Sequence, residues 1–292
     1  MRFRVWHLMV FLAALLLGYA LTLALTKEAS SYAATASSTF ETEVFSPVIP
    51  DLPKAPEYEA PPEPMIKDKA DLGIKLQTIG EGFHGDQVVA KNGETWLGFY
   101  RDAGRFYLRN TKVRVRWAYD PIVDGEEGGK ISGKSVFVKN NDRALFIVKN
   151  AKRLNEGNVK TVFYGGIRYD LENQPEAIRL KNGFRKTFEF AGDIYVLKVE
   201  NKLTSDEYLD KGSKLSLERN GKEQVLRYLP DGCNDCGWTL YWAGDLDQDG
   251  KLDFFFDLSD HYNVSDERLY LSSYAPAGQL VKLAADFWTN GC

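Results

Sequence analysis

Asp245, Asp247 and Asp249 stand at alternate positions of the stretch GDLDQDGKLDFFFDL (residues 244–258), with Gly250 next and Asp253 closing the set. Oxygen ligands at positions 1, 3 and 5 of a turn can fold round one hard cation, and a glycine at position 6 permits the sharp bend. The backbone carbonyl of position 7, here Lys251, adds another oxygen. Calcium takes 6–8 oxygens, so waters or a bidentate carboxylate would complete the shell. Four carboxylates crowded into an empty turn repel one another, and a divalent cation supplies the missing charge. The competing reading is an acidic surface turn without a specific ion.

The flanks narrow the kind of loop. An EF-hand carries a glutamate at position 12 and runs into a helix, whereas position 12 here is Phe256, inside Phe254-Phe255-Phe256. Thr239–Trp242 (TLYW) before the turn and Lys251–Leu258 (KLDFFFDL) after it both read as strands. This spacing between strands resembles the calcium-binding hairpin of FG-GAP and VCBS repeats. The resemblance implies a structural calcium ion held by Asp245, Asp247, Asp249 and Asp253 with the Lys251 carbonyl. It covers residues 239–258 of 292, and the chain shows one such loop where a propeller repeats several. It therefore implies a metal loop and not a fold. Extracellular calcium modules often bind with Kd of about 10⁻⁴–10⁻³ M.

Cys233 and Cys236 form a CxxC, with Cys292 at the end of the sequence. In an oxidising compartment such a pair is read as a structural disulfide. A redox reading would need a lowered thiol pKa, and Asp231 and Asp235 beside the pair oppose that. A zinc reading has three cysteines and a distant histidine for four ligands. Cys292 is left either free or competing for one of the other two. Asp257, Ser259, Asp260 and His261 invite a hydrolase reading, but no GxSxG surrounds the serine and triad members seldom adjoin in sequence. The bland reading is that His261 hydrogen-bonds near the hairpin, and that His84 sits in a turn (GFHGD). Lys112, Arg114 and Arg116 form a basic row fit for an anionic polymer such as an envelope polysaccharide, or simply the solvent side of a strand.

The elements that must position these groups look like β-structure. Residues 112–117 (KVRVRW) alternate strictly, with Val113, Val115 and Trp117 on one side and the basic row on the other. Short runs at 95–100, 135–139, 144–149, 187–190, 194–200, 214–218 and 224–228 are separated by Gly, Asn and Asp. Further runs fall at 239–242, 252–258, 268–272 and 279–287. Asn220-Gly221 between two of them is a strong hairpin cue, since both positions tolerate positive φ. The expected fold class is mostly β: an antiparallel sandwich, a barrel-like sheet or two small subdomains. The polar stretch 152–158 (KRLNEGN) is read as a seam near 150–160.

This domain, residues 70–292, follows two segments of different composition. Arg2, Arg4 and His7 precede the uncharged run 8–25, which is apolar all round and reads as an export signal. At 18 residues it suits either a long cleaved signal peptide or a retained anchor helix. Either way the basic N-terminus stays inside and the domain faces the periplasm or exterior. No cysteine stands near the end of this run, which excludes a lipoprotein. Residues 26–69 form a linker rich in Ala, Ser and Thr and then in proline, with seven of eleven prolines between Pro47 and Pro64. A net charge of −4 gives no footprint for nucleic acid, and three histidines leave little for a multi-histidine metal site. The expectation is an exported, calcium-stabilised β domain with a binding or structural role in the cell envelope. It would meet a polysaccharide or protein there and touch the membrane only through its N-terminal segment. The rival is a periplasmic or extracellular hydrolase acting on a polymer.

Overall fold

The computed structural model describes residues 69–290, apart from 121, 126–130, 140–143, 167–176, 205 and 234. The apolar run 8–25, nearly all of the linker and Cys292 lie outside the described residues. Those residues contain sixteen strands and no α-helix. The first eight are β1 (Lys75–Thr78), β2 (Gly80–Phe83), β3 (Thr95–Asp102), β4 (Arg105–Ala118), β5 (Gly133–Val138), β6 (Ala144–Lys149), β7 (Gly157–Tyr164) and β8 (Ile178–Arg179). They continue as β9 (Arg185–Phe190), β10 (Asp193–Glu200), β11 (Lys214–Arg219), β12 (Lys222–Tyr228), β13 (Thr239–Asp245), β14 (Asp253–Asp257), β15 (Val264–Leu271) and β16 (Lys282–Asn290).

Twelve strands make one antiparallel sheet along the path β1-β6-β3-β4-β7-β13-β14-β15-β16, with β2, β5 and β8 as branches. Its two ends approach one another. The Ala70 amide donates to Asp286 Oδ1 at 3.0 Å, and Lys282 Nζ pairs with Asp71 Oδ1 at 2.8 Å. The result is a nearly closed, barrel-like sheet. The other four strands form a meander, β12-β11-β10-β9. Its β11–β12 turn is Asn220-Gly221 with φ of 48° and 84°, so the hairpin cue and its left-handed backbone coincide. Residues 150–156, inside the stretch read as a seam, connect β6 to β7, both in the larger sheet.

Two cores explain the aromatic run at 254–256. Phe255 belongs to the barrel core with Phe99, Phe146 and Trp242, and its ring centroid lies 4.6 Å from that of Phe146. Phe254 and Phe256 belong to a second core that includes Phe188, Tyr195, Leu197, Leu217 and Trp238, from the meander and the chain that follows it. Successive side chains of a strand point to opposite faces. A strand covered on both faces therefore reads as continuously apolar rather than alternating. All five residues of β14 are buried.

The alternation at 112–117 fares differently at its far end. Lys112, Arg114 and Arg116 are exposed and Val113 is buried, as the pattern expects. Trp117, expected on the buried side, is 69% exposed. There β4 has outrun the core, and the indole meets the Lys134 ammonium, 5.3 Å from its ring centre.

Candidate metal centre

The hairpin β13–β14 carries the acidic turn. Asp245 ends one strand and Asp253 begins the next, with Leu246 packed into the barrel core and Leu252 into the second core. These two leucines pin the turn from both sides. Gln248 and Gly250 take φ of 61° and 83°, which bends the loop back on itself. The Leu252 amide donates to the Tyr195 hydroxyl on β10 at 3.4 Å, a further tie to the meander.

Asp245, Asp247 and Asp253 converge, each offering a carboxylate oxygen within 4.8 Å of the others. All three are buried. Backbone amides organise them. Asp253 Oδ2 accepts from Leu246 at 2.7 Å and Asp247 at 3.2 Å, and Asp245 Oδ2 accepts from Gly250 at 3.1 Å. Asp245 Oδ1 is buried with no hydrogen-bond partner. Asp249 is outside this convergent set, because Lys251 holds it. The Lys251 amide donates to Asp249 Oδ1 at 2.8 Å, and its ammonium lies 3.1 Å from Oδ2.

The electrostatics follow from burial without compensation. Desolvation raises the Asp245 carboxyl, and the charges of Asp247 and Asp249 push it further. Desolvation raises Asp247 as well, against the pull of the nearby Ser273 hydroxyl and amide. Asp253 is driven well above the usual carboxylate range by full burial and then by Asp247. The amide bonds to Asp253 act downward but do not win.

Ser272 and Ser273, which sequence reasoning did not single out, complete the surroundings. They follow β15, which lies beside β14 and runs antiparallel to it. The Ser272 amide donates to Asp253 Oδ1 at 2.7 Å, its hydroxyl to Asp249 Oδ1 at 2.9 Å, and the Ser273 amide to Asp247 Oδ2 at 3.2 Å. No spacing rule links residues so far apart in the chain. The only hint was the pairing of adjacent strands.

No protein-family model, curated protein or solved structure matches this chain. The meaning of the site rests on its own geometry.

The remaining candidates are placed as follows. Cys233 and Cys236 lie at disulfide distance, with Cα atoms 5.6 Å apart, in the connection from β12 to β13. The segment 257–261 does not assemble a triad: Asp257 Oδ1 accepts from the Ser259 and Asp266 amides, and the His261 ring meets Asn263. Asp260 pairs with Arg227 at 3.5 Å. His84 Nδ1 lies 2.5 Å from the buried Asp120 Oδ2. Burial pushes the Asp120 carboxyl up, but His84 and the amides of Ile122 and Val123 outweigh it and hold it low. Beside that pair, Trp117, Tyr119, Ile122, Val123 and Ile131 are all exposed.

Proposed function

We propose that the chain is an exported β domain stabilised by a structural calcium ion, with a binding or supporting role in the cell envelope. The observation that carries this reading is the convergence of three buried carboxylates, one with an oxygen that no described residue satisfies. Burying charge without a partner is costly, and a hard divalent cation is the partner that an all-oxygen set selects. Asp245, Asp247 and Asp253 would hold the ion. Asp249 would swing from Lys251 to join them, and the Lys251 carbonyl would add a neutral oxygen, as the FG-GAP resemblance implies. Calcium rather than magnesium suits a loop of this kind, because magnesium demands a tighter octahedral shell and sheds water reluctantly. The ion's work is mechanical: it fastens the turn between strands that wall both cores. Support for a binding role comes from the basic row of Lys112, Arg114 and Arg116 on one face of β4 and, on the other side near that strand's end, the exposed Trp117 and Tyr119; cations and aromatics are both chemistry that suits an anionic polysaccharide. Export and the anchor or signal at 8–25 remain part of the proposal.

The test is calorimetric titration of the full chain with calcium after chelation. One site with an affinity that matches an extracellular calcium level supports the reading. No heat and no change in melting temperature between calcium and EDTA would reduce the loop to an acidic turn.

A further inference from the structure

We propose that the cation site is built from two segments of the chain, with the Ser273 hydroxyl as an additional oxygen ligand supplied by the connection from β15 to β16. This rests on the calcium reading above and extends it beyond the hairpin. Ser272 and Ser273 touch three of the four acids, through the Asp253, Asp249 and Asp247 bonds described above. Their two hydroxyls differ. That of Ser272 is spent on Asp249 Oδ1 at 2.9 Å. That of Ser273 is buried near enough to the Asp247 carboxylate to draw its pKa down but makes no hydrogen bond of ordinary geometry, although its own amide is bonded to Asp247.

Buried polar atoms are ordinarily satisfied, so an exception asks for a cause such as an ion. This region holds two, Asp245 Oδ1 in the hairpin and Ser273 Oγ in the segment after β15. Both are oxygens with lone pairs to give. One hard cation among the carboxylates accepts from both at once, whereas a protein donor would satisfy one. A hydroxyl also adds coordination without adding charge, in a site that already has four acids. With the carboxylates of Asp245, Asp247, Asp249 and Asp253 and the Lys251 carbonyl, Ser273 brings the set to six oxygens, the lower bound of calcium's range. Ser272 is a positioning residue in this arrangement, since it reaches the ion only through Asp249 and Asp253.

Europium(III), a luminescent stand-in for calcium, reads this directly, because its decay in H2O and D2O counts the waters bound to it. In the full chain, Ser273→Ala should raise that count by about one, with water taking the vacated position. It should also weaken calcium binding several-fold. Ser273→Thr, which keeps the hydroxyl, and Ser272→Ala should leave the water count as in wild type. Melting in EDTA shows whether each variant is folded. An unchanged count and affinity in Ser273→Ala, with wild type binding normally, would overturn this inference and leave the calcium reading intact. A count that rises equally in Ser273→Ala and Ser273→Thr would overturn it too. Failure of the wild type to bind calcium or europium would overturn both.

Discussion

Glu94, just ahead of β3, and Asp253, the first residue of β14, are both carboxylates at the start of a strand, and the fold treats them in opposite ways. Glu94 accepts from the Lys149 ammonium at 2.7 Å and the Trp96 indole at 2.8 Å, and its pKa falls to about 2. Asp193 is held low in the same way by Asn220 and Arg219, and Glu223 by Lys198. Asp253 accepts from three amides and faces Asp247 instead of a cation, and its pKa rises. Beside Glu94, Asp193 and Glu223 the fold brings a side-chain base: Lys149, Arg219 and Lys198. In the 245–253 loop the three convergent acids have amide donors but pair with no side-chain base among the described residues, and they face one another. This contrast is what the calcium proposal rests on, with the missing positive charge supplied from solution.

The sharpest way to break the comparison is to chelate the proposed ion. At a calcium concentration of about 100 Kd, the native state gains about 2.7 kcal/mol over EDTA. For a domain of this size that is a melting shift of roughly 5–10 °C. Asp245→Ala should lose the calcium-dependent shift, while Glu94→Gln should keep it in full. Scanning calorimetry of both variants, with and without calcium, checks this.

A smaller effect separates the loop from the nearby cysteines. A bridge between Cys233 and Cys236 closes so short a loop that chain entropy gives it roughly 2 kcal/mol. Reduction should lower the melting temperature by a similar amount in calcium and in EDTA. Unequal drops would tie the cysteines to the ion. Mass spectrometry of non-reduced protein should find that bridge, and three free thiols would sink it.

The paired side of the comparison is read by pH. Glu94 titrates lower folded than unfolded, from 4.5 to about 2. Its contribution is thus complete above about pH 5 and is lost as the pH falls towards 2. The Glu94 and Lys149 side chains are 25% and 32% exposed, so solvent screening limits the pair to about 1 kcal/mol. Glu94→Gln should flatten that part of the acid limb in EDTA, and an unchanged profile would contradict the assignment.

Lys251 gives the smallest effect. Its ammonium pairs with Asp249 and, on the calcium proposal, would compete with an incoming cation. Lys251→Met should tighten calcium binding by no more than about fivefold, the reach of a surface ion pair. Weaker binding would mean that the lysine assists the site.

What the sequence made legible is what is local. The alternating acids, Gly250 and the Asn220-Gly221 turn are each set by neighbours within a few residues. So is the strand character of Ala144–Lys149, which β6 matches end to end. Strands with polar content escaped. In β1, Gln77 and Thr78 are both fully buried, and Gln77 is satisfied by the Val89 amide and the Thr78 carbonyl, a partnership no propensity announces. In β7, Val159 is the one fully buried residue among eight, so the apolar pattern was too thin to mark a strand. The reach of Ser272 and Ser273 to the acids was hidden for another reason: it depends on which strands become neighbours. Trp117 shows the converse, a local pattern that continues after the core it predicts has ended.

Strand β14 has a consequence for how the molecule comes apart. Its phenylalanines are divided between two cores, so neither core can melt while the other keeps its wall. Disruption on one side removes packing from the other, and cooperative unfolding follows from this one five-residue segment. Its amides belong among the last to exchange with deuterium. A fold with a single partition shared by both chambers opens all at once or stays shut, and the acidic turn is the latch at one end of that partition.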